Sequence, residues 1–457
     1  MKIINAHCAG IDVGSRSHYV AIGQEDKDVR EFGVYAEDLK DLCRWLKENN
    51  ITSAALESTG TYWQNLYVEL IHSGIEVVLT SGRFTKSMNR KKTDVRDCQW
   101  IQKLHSLGLL PSSFLPDDTT EKLRTLCRHR ANMIDQKADA CHKMQKFLKL
   151  LNFRLDIVVR DVTGLTGLKI IEEICKGVTD PKELARHRHY NCRKSQEEIA
   201  KALVSNQRED YLFGLQQEYE RYGFYLSQIE KCDARIAQFL QELVKTSPVA
   251  EPAAKPFKRA NKNSIEGVDL NRISYQYFQG VDIYDIPGVS HSTVLILMSE
   301  IGPEGLKNFP TAKHFSSWLR LAPNNKISGG KTLSNRIPKG SSRLKIALRN
   351  AANAVGNLKE SDLGRFFKRI AFKKGRQAAI TATARKIAVI LYNMITKKEA
   401  YKPKTAYVFL DEKRKQLAAI RKKIAKLGID PNELGIFSQE RYRQKWEEKQ
   451  PDNQMIN

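Results

Sequence analysis

Several features are absent from this sequence, and each absence removes a class of function. No apolar run is read as long enough to span a bilayer. The eight cysteines lie far apart with no C-x-x-C pair, which argues against a zinc site or a disulfide framework and for a reducing cytosol. Three of them, Cys43, Cys98 and Cys127, fall among apolar neighbours and read as core residues. Acidic residues are scarce: 52 Asp and Glu against 76 Lys and Arg leave a formal charge of +24. Such an imbalance calls for a polyanionic partner, and nucleic acid fits better than a membrane surface. No compact base-reading module such as a C₂H₂ finger is visible. The first eight residues run straight into a strand rather than a signal peptide.

A chain of 457 residues can bury a large core and is expected to divide into two or three domains. The opening segment reads as strands at 7–14, 18–23 and 29–35, a helix at 38–48, a strand at 53–57, a helix from the turn at 58–63 to about 73, and a strand at 76–79. The first strand carries Asp12 in its interior, where a carboxylate is costly unless a cation or a hydrogen-bond network meets it. The fourth ends on Glu57. Next comes Lys91-Lys92-Thr93-Asp94-Val95-Arg96-Asp97. Thr93 reads as an N-cap, and Cys98, Trp100, Ile101 and Leu104 recur at helical spacing, so Asp94 and Asp97 share one face. Two ionised carboxylates that close repel, and a divalent cation with a preference for hard oxygen ligands relieves the repulsion. The competing reading is that they only complement the helix dipole. The element order, with acids on strands one and four and on the last helix, is the ribonuclease-H-like layout, in which carboxylates converge at the carboxyl ends of the strands.

Three motifs in this region, "GIDVGSRSHYVAI", "ALESTGTYW" and "RKKTDVRDCQWIQKL", together resemble the N-terminal RuvC-like domain of the DEDD insertion-sequence transposases. These are bridge-RNA-guided recombinases related to the Piv DNA invertase. The resemblance covers roughly the first 115 residues and implies that Asp12, Glu57, Asp94 and Asp97 bind divalent metal, Mg²⁺ or Mn²⁺, as two ions. Further on, "IPGVSHSTVLILMSEIG", "FSSWLRLAP", "ISGGK" and "KGSSRLKIALRNAANAV" resemble the C-terminal transposase domain of the same family. There the Ser of the Ser-Gly element is the nucleophile, and it corresponds to Ser328.

The expected fold is therefore α/β plus α: a RuvC-like mixed-sheet domain over 1–115, a helical, coiled-coil-like middle over 116–246, and a mainly helical C-terminal transposase domain over 276–396. An insert at about 155–195 interrupts the middle, a linker occupies 247–275, and a basic extension follows over 397–457. The middle reads as helical runs at about 119–151 and 196–244, two arms of a hairpin that either dimerises the chain or packs within it. His187, His189 and Cys192 in "HRHYNC" lack a second ligand cluster and are not assigned a metal. Asp285 to Ser290 forms a Pro-Gly turn before a helix at 292–301, either a helix-hairpin-helix phosphate device or an ordinary tight turn. Ser290 stands where many such turns end in Gly. The Lys and Arg of the extension either face solvent or track a phosphate backbone.

Paired metal ions about 4 Å apart suit phosphodiester cleavage, and four acids suffice to hold them. A serine nucleophile conserves the bond as a phosphoserine ester that a second DNA end can attack. Ser328 has no neighbouring His, so a bound metal is the candidate activator. Gly329 and Gly330 would let backbone approach a phosphate, and Lys331 would offset charge. Without the resemblance "ISGGK" reads as a surface turn, and Ser334, Ser341 and Ser342 are nearby competitors. Arg83, Lys86, Arg90, Lys91 and Lys92 beside the acids, and Lys331, Arg336, Lys339 and Arg343 beside the serine, are the expected nucleic-acid contacts. The resemblance further implies target and donor DNA, a guide RNA, a dimer pairing into a tetramer, and a bacterial cytoplasmic, nucleoid-associated location. The rival readings are a RuvC-like nuclease using water and a non-catalytic nucleic-acid scaffold. An actin-like ATPase, which "DVGS" alone would allow, lacks the expected adenosine-binding segment.

Overall fold

Alternation in strand β1, Cys8–Val13, sends Ala9, Ile11 and Val13 to one side of a sheet and Cys8, Gly10 and Asp12 to the other. The structure, a computed structural model, describes residues 2–86, 93–245, 247–249, 263–358 and 361–403 together with Ile420 and Leu427. Two compact units emerge, Met1–Asp118 and Thr119–Asn457.

In the first unit β1 is followed by β2 (His18–Ala21), β3 (Val29–Phe32), α1 (Ala36–Glu48), β4 (Ser53–Glu57), α2 (Trp63–His72), β5 (Glu76–Thr80), α3 (Gly82–Thr85) and α4 (Asp94–Ser106). The sheet order is β3-β2-β1-β4-β5, with β1, β2 and β3 antiparallel and β1, β4 and β5 parallel. This is the mixed sheet expected of a ribonuclease-H-like domain. Leu39, Leu42 and Leu46 of α1 and Leu66 and Leu70 of α2 bury against Ile11, Ala54 and Leu56 to make the core of one face. On the other face α4 packs directly on β1. A Cβ on Gly10 would stand 2.1 Å from the Gln102 nitrogen and 2.4 Å from the Cys98 carbonyl, so only glycine admits this backbone-to-backbone approach.

The second unit opens on α5 (Asp118–Leu150), continues through α6 (Leu155–Val158), α7 (Leu165–Cys175), α8 (Pro181–Ala185) and α9 (Gln196–Ala202), and returns along α10 (Glu209–Val244). The run expected over 196–244 is thus two helices. Gln207 between them has φ +56°, outside any helix, and Arg154 and Asn206 tie the break to the end of α5 through bonds to Ala202 and Leu151 carbonyls. Helices α5 and α10 pair antiparallel within the chain. Arg130 and Asp233 form a buried, two-pronged ion pair whose second bond is 3.0 Å, and Arg221 reaches Asp139 at 2.9 Å. At the far end the ring of Phe147 fills the space left by Gly214. The insert caps that end, with Phe153, Ile170, Ile171 and Leu184 sharing a core with Met144, Leu148 and Leu215.

Next come α11 (Leu270–Tyr277), α12 (His291–Glu300), α13 (Gly302–Lys307), α14 (Ala312–Trp318), the hairpin β6 (Lys326–Ser328) and β7 (Lys331–Ser334), then α15 (Arg343–Val355), α16 (Asp362–Lys374) and α17 (Arg376–Lys397). Helix α11 occupies the end of the expected 247–275 linker. Asp269 caps it, and Leu270, Ile273 and Phe278 are buried, which an exposed linker would not allow. Residues 250–262 of that linker lie outside the described residues. Arg128 grips the Glu300 carboxylate with two bonds of 2.9 and 2.7 Å, and Arg124 donates to the Glu300 carbonyl, fastening α5 to α12.

Contrary to the sequence reading, among the described residues one helix is long and apolar enough to cross a membrane: α17. Half of its apolar stretch is consumed inside this unit, where Ala384, Ile387, Ala388 and Leu391 are fully buried. Tyr392 also donates to the Phe309 carbonyl at 2.6 Å. The packing accounts for the composition without a bilayer.

Candidate active site

The pairing of β1 with β4 decides where the first two acids stand. Gly10 lies opposite Ala55 and Ile11 opposite Leu56, so one residue further Asp12 and Glu57 come level on adjacent parallel strands, ~4.8 Å apart. Both belong to the face that α4 covers. Cys8 and Gly10 meet α4 at Gln102 and Cys98, and Ser53, two pleats before Glu57 on the same side, hydrogen-bonds His105 at 3.0 Å. Since His105 lies by the start of β4 and Cys98 by Gly10, α4 runs against the strands. Its first turn, with Asp94 and Asp97, therefore reaches their carboxyl ends. Thr93 caps that turn by accepting from the Arg96 amide.

Electrostatics report the same convergence. Burial pushes the Cys98 thiol up to about 12, and the charges of Asp12 and Asp97 push in the same direction. Tyr19, opposite Asp12 in the β1–β2 register, is raised first by its bond to Glu31, then by burial, and further by the charge of Glu31 and of Asp94. Asp12, Glu57 and Asp97 are half-buried, and Asp94 is exposed.

Glu57 is held by residues the sequence did not single out. Thr85 donates to one carboxylate oxygen at 2.5 Å and Thr59 to the other at 3.2 Å. Gly82 lies so close that a Cβ there would stand 2.3 Å from Oε1. A glycine interior to a strand was the legible signal for Gly10; for Thr85 there was none, because α3 reaches Glu57 only through the fold.

Four carboxylates at the ends of neighbouring elements supply the hard oxygen donors that Mg²⁺ or Mn²⁺ prefers. Among the described residues, however, no three His, Cys, Asp or Glu side chains gather at metal-ligand distance. The donor type and the backbone placement fit a divalent ion. Each Glu57 oxygen, with one hydroxyl already donating to it, retains a lone pair for it.

The serine lies in the second unit. Ser328 and Lys331 face each other across a two-residue turn in which Gly329 and Gly330 have φ +54° and +74°. Positive φ at both positions is the turn that matches strand twist, and the Gly-Gly pair adopts it without strain. Ser328 is exposed and makes no side-chain hydrogen bond with any described residue. Its competitors are otherwise engaged, except for the exposed Ser341: Ser334 accepts from the Arg336 amide, and Ser342 caps α15 by accepting from Lys345. Ile327 and Leu333 are 64% and 69% exposed, an apolar pair left uncovered on the hairpin.

Of the expected basic contacts, Arg83 and Lys86 are exposed beside the Glu57 clamp, and Arg90, Lys91 and Lys92 lie outside the described residues. Lys331, Arg336 and Lys339 are exposed, and Arg343 opens α15 half-buried. The Pro-Gly turn has a structural explanation: Gly288, at φ +83°, presses on the Ala351 carbonyl and Val355, and Ser290 caps α12 by accepting from Thr293. In the "HRHYNC" loop Arg188 bonds the Cys192 and Lys194 carbonyls, and among the described residues no metal cluster forms.

A family profile for transposases of the DEDD, IS110 type matches residues 9–153, and one described as "Transposase IS116/IS110/IS902 family" matches residues 283–367. Together they cover half of the chain. The chain belongs to the IS110 family of transposases. The first match spans the sheet, α4 and all of α5, beyond the 115 residues over which the motifs resembled the family. The second runs from the 3₁₀ turn before the Pro-Gly pair into α16 and includes the Ser328 hairpin. The transposase insert and α17 lie outside both. A comparison with curated proteins gives no match.

Proposed function

We propose that this transposase cuts and exchanges DNA strands at a divalent-metal site formed by Asp12, Glu57, Asp94 and Asp97, with Ser328 as the nucleophile, under the direction of a structured RNA. The observation that carries the reading is the β1–β4 register, which aligns Asp12 with Glu57 beneath the first turn of α4. When bound, the metal neutralises the phosphate and stabilises the leaving oxygen.

The chain's own residues do the rest. Asp12, Glu57, Asp94 and Asp97 would hold the metal, and Thr85 and Thr59 hold Glu57 in orientation. The Ser328 oxygen bonds phosphorus as one phosphorus–deoxyribose oxygen bond breaks, and the departing deoxyribose oxygen takes up the proton that the Ser328 hydroxyl gives up. A second deoxyribose hydroxyl then attacks the phosphoserine; the phosphorus–serine oxygen bond breaks and the proton of that hydroxyl returns to Ser328, restoring the diester and the serine. Lys331, across the turn, offsets charge on the phosphate. The exposed hairpin and its bare Ile327 and Leu333 favour a composite site in which Ser328 of one subunit serves the acids of another, within a dimer of dimers.

Cleavage of a labelled target duplex by the full chain with Mg²⁺ and its co-purified RNA tests this. A covalent DNA adduct is expected in wild type and lost in Ser328→Ala. Continued cutting by Ser328→Ala would instead support hydrolysis by water, which needs only the first unit's acids. Asp12→Asn is expected to abolish both cutting and Mn²⁺ binding measured by calorimetry; unchanged Mn²⁺ binding would remove the metal site. Sequencing the co-purified RNA is expected to yield one structured species rather than a random sample.

A further inference from the structure

A groove of about 990 Å³ lies between the roots of the Ser328 hairpin and helices α16 and α17. Its floor is apolar, built from Ile337, Phe366, Ile370, Ala382 and Val389. Its rim carries Arg336, Arg349, Lys374, Arg385 and Lys386, and among the described residues no carboxylate lines it. Lys386 stands 4.6 Å over the Phe366 ring, a cation resting on the aromatic floor.

At Arg349 the groove continues into a second cavity of about 490 Å³ at the start of α15, lined by Gly340, Ser341, Lys345 and Asn350. Lys345 is 5% exposed and donates to the Gly340 carbonyl at 2.9 Å. Burial, with the nearby charges of Arg349 and Arg320, lowers its ammonium from the usual range. A row of cations beside an apolar trough is complementary to a ligand that alternates anions with flat apolar groups.

A duplex matches only half of that description, because its bases are stacked inside and only its phosphates reach the protein. An unpaired strand matches both halves, laying bases on the apolar floor while its phosphates meet the rim. An acidic peptide would satisfy the rim and leave the floor empty. The chain's own segment 412–428, rich in Lys and Arg, would be repelled by the rim.

We propose that this groove binds an unpaired stretch of DNA and leads it along the α15 cavity and the hairpin roots to Ser328. Pro323, Asn325 and Asn335, which flank the hairpin, form one wall, so a strand lying there is delivered to the serine. The choice of DNA over RNA rests on the Ser328 reading above; the preference for an unpaired strand does not.

The test is fluorescence anisotropy on the full chain at one fixed salt concentration, with oligothymidylate of about 20 nucleotides, a duplex of equal length, oligouridylate, and polyglutamate as competitor. Wild type is expected to bind the unpaired DNA about tenfold tighter than the duplex. Ala382→Glu, which places an acid in the floor, and Arg385→Glu, on the rim, are each expected to weaken unpaired DNA about tenfold and duplex less than about threefold. Arg385→Glu keeps the test decisive if Ala382→Glu fails to fold by circular dichroism. Equal losses for both DNA forms, or no loss, would overturn the groove as a single-strand site. Tighter oligouridylate binding or displacement by polyglutamate would overturn its assignment to DNA. The adduct assay with Ser328→Ala is independent of groove binding, so the groove and the nucleophile can fail separately.

Discussion

Asp12 and Ser328 are placed by opposite means. Asp12 sits on a strand hemmed in on both sides: Ile11 and Val13 are in the core beneath α1 and α2, and Gly10 is pressed against the backbone of α4. Ser328 sits on three exposed strand residues beside a turn whose glycines have nothing within 4 Å of a would-be Cβ. The acids are thus oriented by packing before any ligand arrives, and the serine only by the conformation of its own turn. On the proposed mechanism the difference would be useful, because metal ligands need fixed geometry whereas a nucleophile that holds a DNA end would have to carry it from one partner to another.

Substitutions at the two places sharpen the contrast. Gly10→Val puts a branched side chain where not even a methyl fits, and is expected to destabilise the chain by about 3 kcal/mol in urea unfolding. A wild-type midpoint would mean that α4 can lift off the sheet freely. Replacing Gly330 with Ala, where φ is +74° but space is open, is expected to cost only ~1 kcal/mol and to loosen the hairpin, read as faster amide exchange at Lys326 to Ser334. A larger loss would show that the hairpin packs on something.

Acid is expected to act on the sheet and spare the hairpin. Burial lowers the pKa of both His18 and His105, so both stay neutral in the folded sheet. The unfolded chain then binds more protons, so stability is complete above the ordinary histidine value near 6.5 and declines as pH falls below it toward the lowered folded values. Urea midpoints between pH 7.5 and about 5 check this, and His105→Gln is expected to flatten the slope. The smallest effect belongs to Ser328→Ala. With no side-chain hydrogen bond to the described residues it is expected to change stability by less than about 0.5 kcal/mol, by the same measurement, while removing the DNA adduct.

Much of the first unit was legible because local signals agreed with one another. The buried strand carrying Asp12, the Thr93 cap and the acids at strand ends each have a short-range physical cause, and the order of elements along the chain followed from them. The motifs reached further, to the family itself and to the position of Ser328. What escaped depended on long-range contacts. The helix at 270–277 was hidden in a polar stretch because its stability comes from burying Leu270, Ile273 and Phe278. The break at 203–208 is held by bonds to Leu151 and Ala202, and no periodicity records it. The length and apolarity of α17 were missed in the count of apolar runs, and only the packing showed where its apolar face goes.

The amino-acid sequence by itself determined the excess of positive charge, the four acids, the Gly-Gly turn that presents Ser328, and membership of a transposase family. These are properties of composition and of contacts a few residues long. Tertiary structure alone decided that Asp12 and Glu57 come level, that Thr85 and Gly82 clamp Glu57, and that five cations gather over an apolar trough beside the serine hairpin. Strand register and helix packing bring together residues tens of positions apart, and their geometry is set by which apolar faces can be buried at once.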